Sequence, residues 1–191
     1  MATPELRKRE DFAEWALPHM DRVYTAAFYL TRNREEAEDL LQETYLRAYR
    51  FWDQFTPGTN CKAWLMTILH NSFKNRHRDR YHDRQAIEFN EETYDDNPGA
   101  GAPRDPETLV LSQMLDDEVE RALKGLPIEF LEVLVLVDIQ ELSYEEAAAA
   151  LACPIGTVRS RLSRARRLLQ AGLQEYAKER GVGRRGTYAL R

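Results

Sequence analysis

Residues 143–169 read SYEEAAAALACPIGTVRSRLSRARRLL, and this stretch decides the fold. Ser143 and Glu146 stand at capping-box spacing, where each side chain accepts from the other residue's free backbone N–H. The alanines behind them favour helix through Leu151. Ala152-Cys153-Pro154-Ile155-Gly156 breaks that helix, and Pro154 is placed to start a second one. A short capped helix, a tight turn and a basic second helix spell a helix-turn-helix. With Val158 at zero on a helical wheel, Leu162, Ala165 and Leu169 fall within about 40° of it and form the buried stripe. Arg159, Ser160, Ser163, Arg164 and Arg167 spread over the opposite face. Arginine forks fit guanine edges and phosphates, and short serines allow close approach to a groove. A solvated basic face on a bundle helix would carry the same pattern; the preceding capped helix and turn favour DNA.

Working upstream, the run from Phe130 to Ile139 is apolar almost all round and predicts a central core element opened by Pro127. Gly125 is placed to end the helix before it. That helix opens at Asp105-Pro106-Glu107, a cap, a proline at the first helical position and an acid in the first turn. Residues 84–106 contain NPGAGAPRDP and few large apolar side chains, too little to offset the entropy of ordering, and read as a linker.

A first helical unit precedes the linker. Phe12, Trp15, Met20, Val23, Tyr24, Ala27 and Phe28 suggest an amphipathic segment, with Pro18 as a start or kink inside it. Asn33 with Glu36 marks a helix start. Behind it, Ala37, Leu40, Leu41, Thr44, Tyr45 and Ala48 make one apolar stripe, opposite Glu35, Glu38, Asp39, Gln42, Glu43 and Arg47. Residues 56–60, TPGTN, form a turn in which Thr59 or Asn60 caps the next helix. On that helix Leu65, Met66, Leu69 and Phe73 cluster on one side. Trp64, Thr67, Asn71, Lys74 and Asn75 occupy another, with Ile68 at its edge. Amides can pair with base edges, Trp can stack on bases and Lys can hold phosphate, which suits single-stranded DNA. A Trp at helical spacing is more often a core residue, and the exposed amides beside a basic stretch shift the reading toward single-stranded DNA. No alternating strand pattern or hairpin turn occurs, so the expected fold is all-α, two small domains joined by an acidic linker.

Across 191 residues the formal net charge is −5, which at face value argues against nucleic acid. The distribution reverses that. Lys74, Arg76, Arg78, Arg80 and Arg84 face only Asp79 and Asp83 between Asn71 and Arg84. Arg159, Arg161, Arg164, Arg166, Arg167, Lys178 and Arg180 face only Glu175 and Glu179 near the end. Between these, seven acids from Glu88 to Glu107 meet Arg104 alone. Two basic segments flank an acidic one. No apolar run reaches the roughly twenty residues of a membrane span. MATPELRKREDF has no apolar signal region, so a cytoplasmic protein without membrane insertion is expected.

Catalysis has little support. His19, His70, His77 and His82 are scattered, and no nucleophile elbow, P-loop or dinucleotide fingerprint occurs. Cys61 and Cys153 lack metal-ligand spacing; both suit packing at turns or helix starts. No catalytic residue, metal or cofactor is expected, and the protein is not read as an enzyme.

EEAEDLLQETYLRAYRFWDQF at 35–55, GTNCKAWLMTILHNSFKNRHR at 58–78 and LPIEFLEVLVLVDIQELSYEEAAAALACPIGTVRSRLSRARRLL at 126–169 resemble an extracytoplasmic-function (ECF, group IV) sigma factor of the sigma-70 family. GTNCKAWL…ILHN with PIGTVRSRL is similar to the branch that answers thiol-oxidative stress under a zinc-containing anti-sigma factor. The resemblance implies a region 2 domain at 1–84, an acidic linker at 85–105, a region 4 domain at 106–180 and a tail at 181–191. Asp39, Gln42, Glu43 and Arg47 would dock on the β′ clamp of core RNA polymerase. Asn60, Lys62, Trp64, Asn71, Lys74, Asn75 and Arg76 would take the −10 element from the non-template strand. Thr157, Arg159, Ser160, Ser163, Arg164 and Arg167 would enter the −35 major groove, with the other side of that domain on the β flap. The linker would thread toward the active-site cleft. The factor would associate with the nucleoid when bound to polymerase, and an anti-sigma factor, zinc-containing in this branch, would be a further partner. A polymerase-independent helix-turn-helix regulator is the alternative; a metal-dependent helical hydrolase lacks its ligand spacing.

Overall fold

The computed structural model describes residues 3–87 and 117–173. The expected linker at 85–105, the helix opening at Asp105-Pro106-Glu107 and the tail at 181–191 lie wholly or largely outside these residues. So do the side chains of Arg78, Arg80, Arg84, Lys178 and Arg180.

Among the described residues every regular element is helical. Thr3 caps α1 (Pro4–Trp15), with its hydroxyl accepting from the Leu6 N–H and Pro4 at the first position. Pro18 sits in a short 3₁₀ turn, Leu17–His19, between α1 and α2 (Met20–Thr31). The expected amphipathic segment is therefore two helices. The bend turns Trp15 and Met20 outward, 41% and 40% exposed, while Phe12, Val23 and Ala27 are buried. The Asn33 carboxamide accepts from the Glu36 N–H to start α3 (Arg34–Arg50). Ala37, Leu40, Thr44, Tyr45 and Ala48 are its buried stripe. The Tyr45 hydroxyl donates to the Ala16 carbonyl at 3.0 Å, tying α3 to the bend, and burial raises its pKa far above the ordinary phenol value.

A TPGTN turn leads into α4 (Cys61–Ile87), capped by Asn60, whose Oδ1 accepts from the Ala63 N–H at 3.2 Å. Gly58 has φ +86° there, a conformation glycine adopts without strain. Helices α2, α3 and α4 pack on one another around Leu40, Leu65, Met66 and Leu69.

The described part of the second unit opens with α5 (Asp117–Lys124), and Gly125 follows its last turn. Next comes α6 (Ile128–Leu134), which opens at Pro127 and runs straight into one π-helical turn, Val135–Ile139. Leu131, Val133, Leu134, Val135 and Leu136 are buried, as expected of a helix apolar all round. Then α7 (Tyr144–Ala150) and α8 (Ile155–Gly172) form the helix-turn-helix. The reciprocal Ser143–Glu146 capping box is present. Cys153 N–H bonds the Ala148 carbonyl and Ala152 N–H the Ala149 carbonyl, with Ala152 at φ +49°. That is a Schellman ending built on alanine where glycine is usual.

Val158, Leu162 and Ala165 are buried under α8. Leu162→Ala should cost about 2–5 kcal/mol through lost transfer energy and a residual cavity. Leu46→Ala, at a residue 66% exposed, should leave the urea midpoint nearly unchanged. Equal midpoint losses in urea titrations would contradict this packing.

Candidate nucleic-acid interface

The outer face of α8 is assembled by backbone register alone. Arg159, Ser160, Ser163, Arg164 and Arg167 are exposed on it, and Thr157 is half-buried at its start. The Ser160 hydroxyl donates to the Thr157 carbonyl at 3.0 Å. The Arg159 guanidinium lies 5.7 Å from the Tyr144 ring centroid, a cation–π contact that fans it across the turn. Arg166 is diverted from this face. Its Nε and Nη2 donate to the Asp138 carboxylate at 3.0 and 2.6 Å, fixing α8 to the π turn. What remains is an exposed basic face on a helix, an element that the major groove admits.

The residues expected to meet single-stranded DNA separate into three groups. Asn71 and Lys74 are exposed and Asn75 is half-buried, together on one stripe of α4. Trp64 shares that stripe, but its ring packs 5.7 Å from Trp52 and 5.4 Å from Phe55, so it closes the edge of the core. Arg76 turns toward α3, donating from Nε to the Glu43 carboxylate at 2.7 Å and from Nη2 to the Asp39 carbonyl at 3.0 Å. Lys62, about 180° round the helix from Asn71, faces the second unit, where its ammonium donates to the Gln140 carbonyl at 2.5 Å. The Asn60 amide nitrogen donates to Glu146 Oε1 at 2.7 Å, also in the second unit.

On α3, Asp39 and Gln42 are exposed beside half-buried Glu43 and Arg47. Glu43 is already engaged, by Arg47 at 2.9 Å and Arg76 at 2.7 Å. Exposed Leu46 and Phe51 complete an amphipathic surface around these groups. Sequence patterning missed this apolar part, though Leu46 falls off the buried stripe and could have signalled it.

Burial pushes the Cys61 thiol up to about 11, which suits packing and suppresses thiolate chemistry. Among the described residues no group of three or more His, Cys, Asp or Glu could hold a metal. No described helix is long and apolar enough to cross a membrane.

The family described as Sigma-70 region 2 matches residues 15–82, and that described as Sigma-70, region 4 matches residues 116–169. The ECF RNA polymerase sigma factor SigE of Mycolicibacterium smegmatis is 38% identical over 93% of this chain and 67% of its own length. EcfG of Rhodopseudomonas palustris is 39% identical over 76% of this chain and 75% of its own. Among solved structures, the sigma factor RpoE of Bartonella quintana, in complex with the anti-sigma factor NepR, has TM-score 0.68 and 33% identity. It covers 86% of this chain and 98% of that one. CnrH, solved with the cytosolic domain of CnrY, shares the fold at TM-score 0.61 and 24% identity, covering 87% of this chain and 90% of that one. The chain belongs to the ECF RNA polymerase sigma factors of the sigma-70 family. It is a transcription initiation factor that confers promoter specificity on bacterial RNA polymerase.

Burial works against the charge of Glu146. The hydrogen bonds it accepts from the Ser143 backbone, the Asn60 amide and the Ser143 hydroxyl, with Lys62 nearby, outweigh it and hold its carboxyl below the ordinary 4.5. A depressed carboxylate contributes stability above its unfolded pKa and loses it as pH falls through the folded value. Glu146→Gln should therefore lower stability slightly near neutrality, an effect kept small by solvent screening, and the gap should close on acidification. Thermal melts of both proteins across pH check this; a gap that widened in acid would contradict the assignment.

Proposed function

We propose that the two exposed faces divide promoter recognition, α8 taking the −35 duplex and the Asn71–Lys74–Asn75 stripe of α4 taking unpaired −10 bases. The observation that carries this is their chemistry. Forked arginines with short hydroxyls suit a major groove, whereas amides beside an ammonium suit splayed bases and backbone. Region 2 then spans 1–84, a linker 85–105, region 4 106–180 and a tail 181–191. The exposed Asp39, Gln42 and Leu46 surface of α3 docks on the β′ clamp, while Glu43 and Arg76 hold α3 to α4 behind it. The opposite side of region 4 meets the β flap. A net acidic chain neutralises few phosphates alone, and docking on polymerase holds two weak contacts at high effective concentration. The protein works in the cytoplasm, on the nucleoid when bound to polymerase, at stress-response promoters.

Asp39→Lys should weaken binding to core polymerase with helix content unchanged; Glu43→Lys is a poorer probe because it also breaks two ion pairs. Arg164→Ala should cost about 1–3 kcal/mol at one −35 position. Asn71→Ala should impair opening or −10 selectivity instead. The checks are competition against another sigma factor and promoter-variant run-off transcription. An altered preference at the same base in both DNA variants would defeat the two-element assignment. Tight duplex binding without polymerase would favour the self-sufficient regulator.

The partner that silences the factor is an anti-sigma protein, zinc-containing and thiol-switched. Two things support this reading: the GTNCKAWL and PIGTVRSRL motifs, and the burial that pushes the Cys61 thiol up, away from ready ionisation. The B. quintana relative was solved with an anti-sigma factor. A Cys61→Ser, Cys153→Ser variant should start transcription normally and still be released from its inhibitor by oxidant. Loss of oxidant response in run-off assays would place the switch in this chain.

A further inference from the structure

Arg159 and Arg166 stand seven residues apart on α8, two turns along one flank of the helix. Their surroundings give them different fates. Arg166 donates from Nε and Nη2 to the Asp138 carboxylate at 3.0 and 2.6 Å, which occupies its fork within the fold. The exposed Arg159 meets an aromatic ring instead. One residue serves both. Tyr144 opens α7 directly behind the Ser143 cap and is half-buried. Its ring lies 5.7 Å, centroid to guanidinium carbon, from Arg159. Its hydroxyl offers Arg166 a further acceptor beside Asp138. Two helical turns cover about 10 Å, a gap that a phenol bridges with one guanidinium over its face and the other at its oxygen.

The ring is held at both ends. The reciprocal Ser143–Glu146 box fixes the backbone from which it springs, and Arg166 ties its hydroxyl to the π turn that carries Asp138. A tyrosine has two side-chain torsions, so these anchors set the face that it presents. An arginine is long and flexible, and on an exposed flank its fork sweeps many positions. Stacked on an aromatic face, the planar guanidinium keeps one orientation while its N–H edges stay open. Arg159 also lies in the second turn of α8, near the end of a recognition helix that reaches base edges. Among the described residues Arg164 and Arg167, farther along the same face, have no aromatic beneath them.

We propose that Tyr144 is a positioning residue for −35 recognition, whose ring holds the Arg159 fork in register with one base pair of the element. The edge it selects is a guanine, whose O6 and N7 accept a bidentate arginine. The ring itself touches no base. It takes its bearing from the π turn through Arg166 and passes that bearing to Arg159. The inference rests on α8 being the −35 surface.

The test uses the full-length chain assembled with core RNA polymerase and promoters in which each −35 base pair is varied singly, read by run-off transcription. Ratios between promoters do not depend on the active fraction, so a partly unfolded variant still reports its preference. Arg159→Ala should flatten the preference at one base pair. Tyr144→Leu keeps apolar bulk without a ring and should lower the preference at that same pair about two- to fivefold, the range of an exposed cation–π contact. Tyr144→Phe keeps the ring and should retain most of the preference. Adding Tyr144→Leu to Arg159→Ala should change nothing further there, as expected when one residue acts through the other. Unchanged preferences in Tyr144→Leu overturn the proposal, with or without a uniform loss of signal. So does a Tyr144→Phe chain as impaired as Tyr144→Leu, since the ring is then not what holds Arg159. Arg164→Ala separates this result from the reading beneath it. If it alters a −35 preference while the Arg159 and Tyr144 variants do not, the positioning role alone is refuted. If none of these substitutions alters any preference, the −35 assignment of α8 falls as well.

Discussion

Everything in this structure depends on α4 being used on three sides at once. One side, Leu65, Met66, Leu69 and Phe73, is the keystone of the first unit's core. A second, with Asn71 and Lys74, is left to solvent. A third, with Lys62 and His70, faces the second unit. A helix has only 360° to divide, so each use limits the others. Asn60, at the head of α4, both caps the helix through Oδ1 and reaches Glu146 through Nδ2. Its two ends thus couple a local stop signal to a contact between units.

The same economy holds on α3. Its buried stripe supports the core, and its acidic face was expected to be wholly available to a partner. Instead Glu43 is shared with Arg47 and Arg76. The ion pairs are partly exposed and individually weak. Their value is geometric: Arg76, on Glu43 and the Asp39 carbonyl, holds α4 against α3, and Arg47 steadies Glu43 from within α3.

Elements whose signals are local were legible in the sequence. The Ser143–Glu146 box, the Asn33 cap, the apolar stripe of α8 and the turn at 56–60 all lie where residue chemistry placed them. The bend at Pro18 was visible, but its consequence, Trp15 and Met20 facing outward, was not, because periodicity assumes one continuous helix. Arg32 was illegible for a different reason. A left-handed residue is recognised through glycine or asparagine, and here the strain is borne for a contact with carbonyls about ninety residues away. Lys62 and Arg76 were grouped with Asn71 through the family resemblance. The helix turns them onto other faces, and only tertiary packing shows what occupies those faces.

The π turn at 135–139 has a consequence for how chain length maps onto conformation. It holds one residue more than an α-helical path would need, and Gln140 follows immediately, presenting its carbonyl to Lys62. Deleting one residue here would restore regular helix with its phase nearly kept, because the wide turn absorbs the extra residue within one turn. The helix-turn-helix would keep its direction, and the loss would fall on the widened turn that ends with the Gln140 carbonyl on Lys62. The extra residue thus sets the width of the turn and leaves the direction of the chain unchanged.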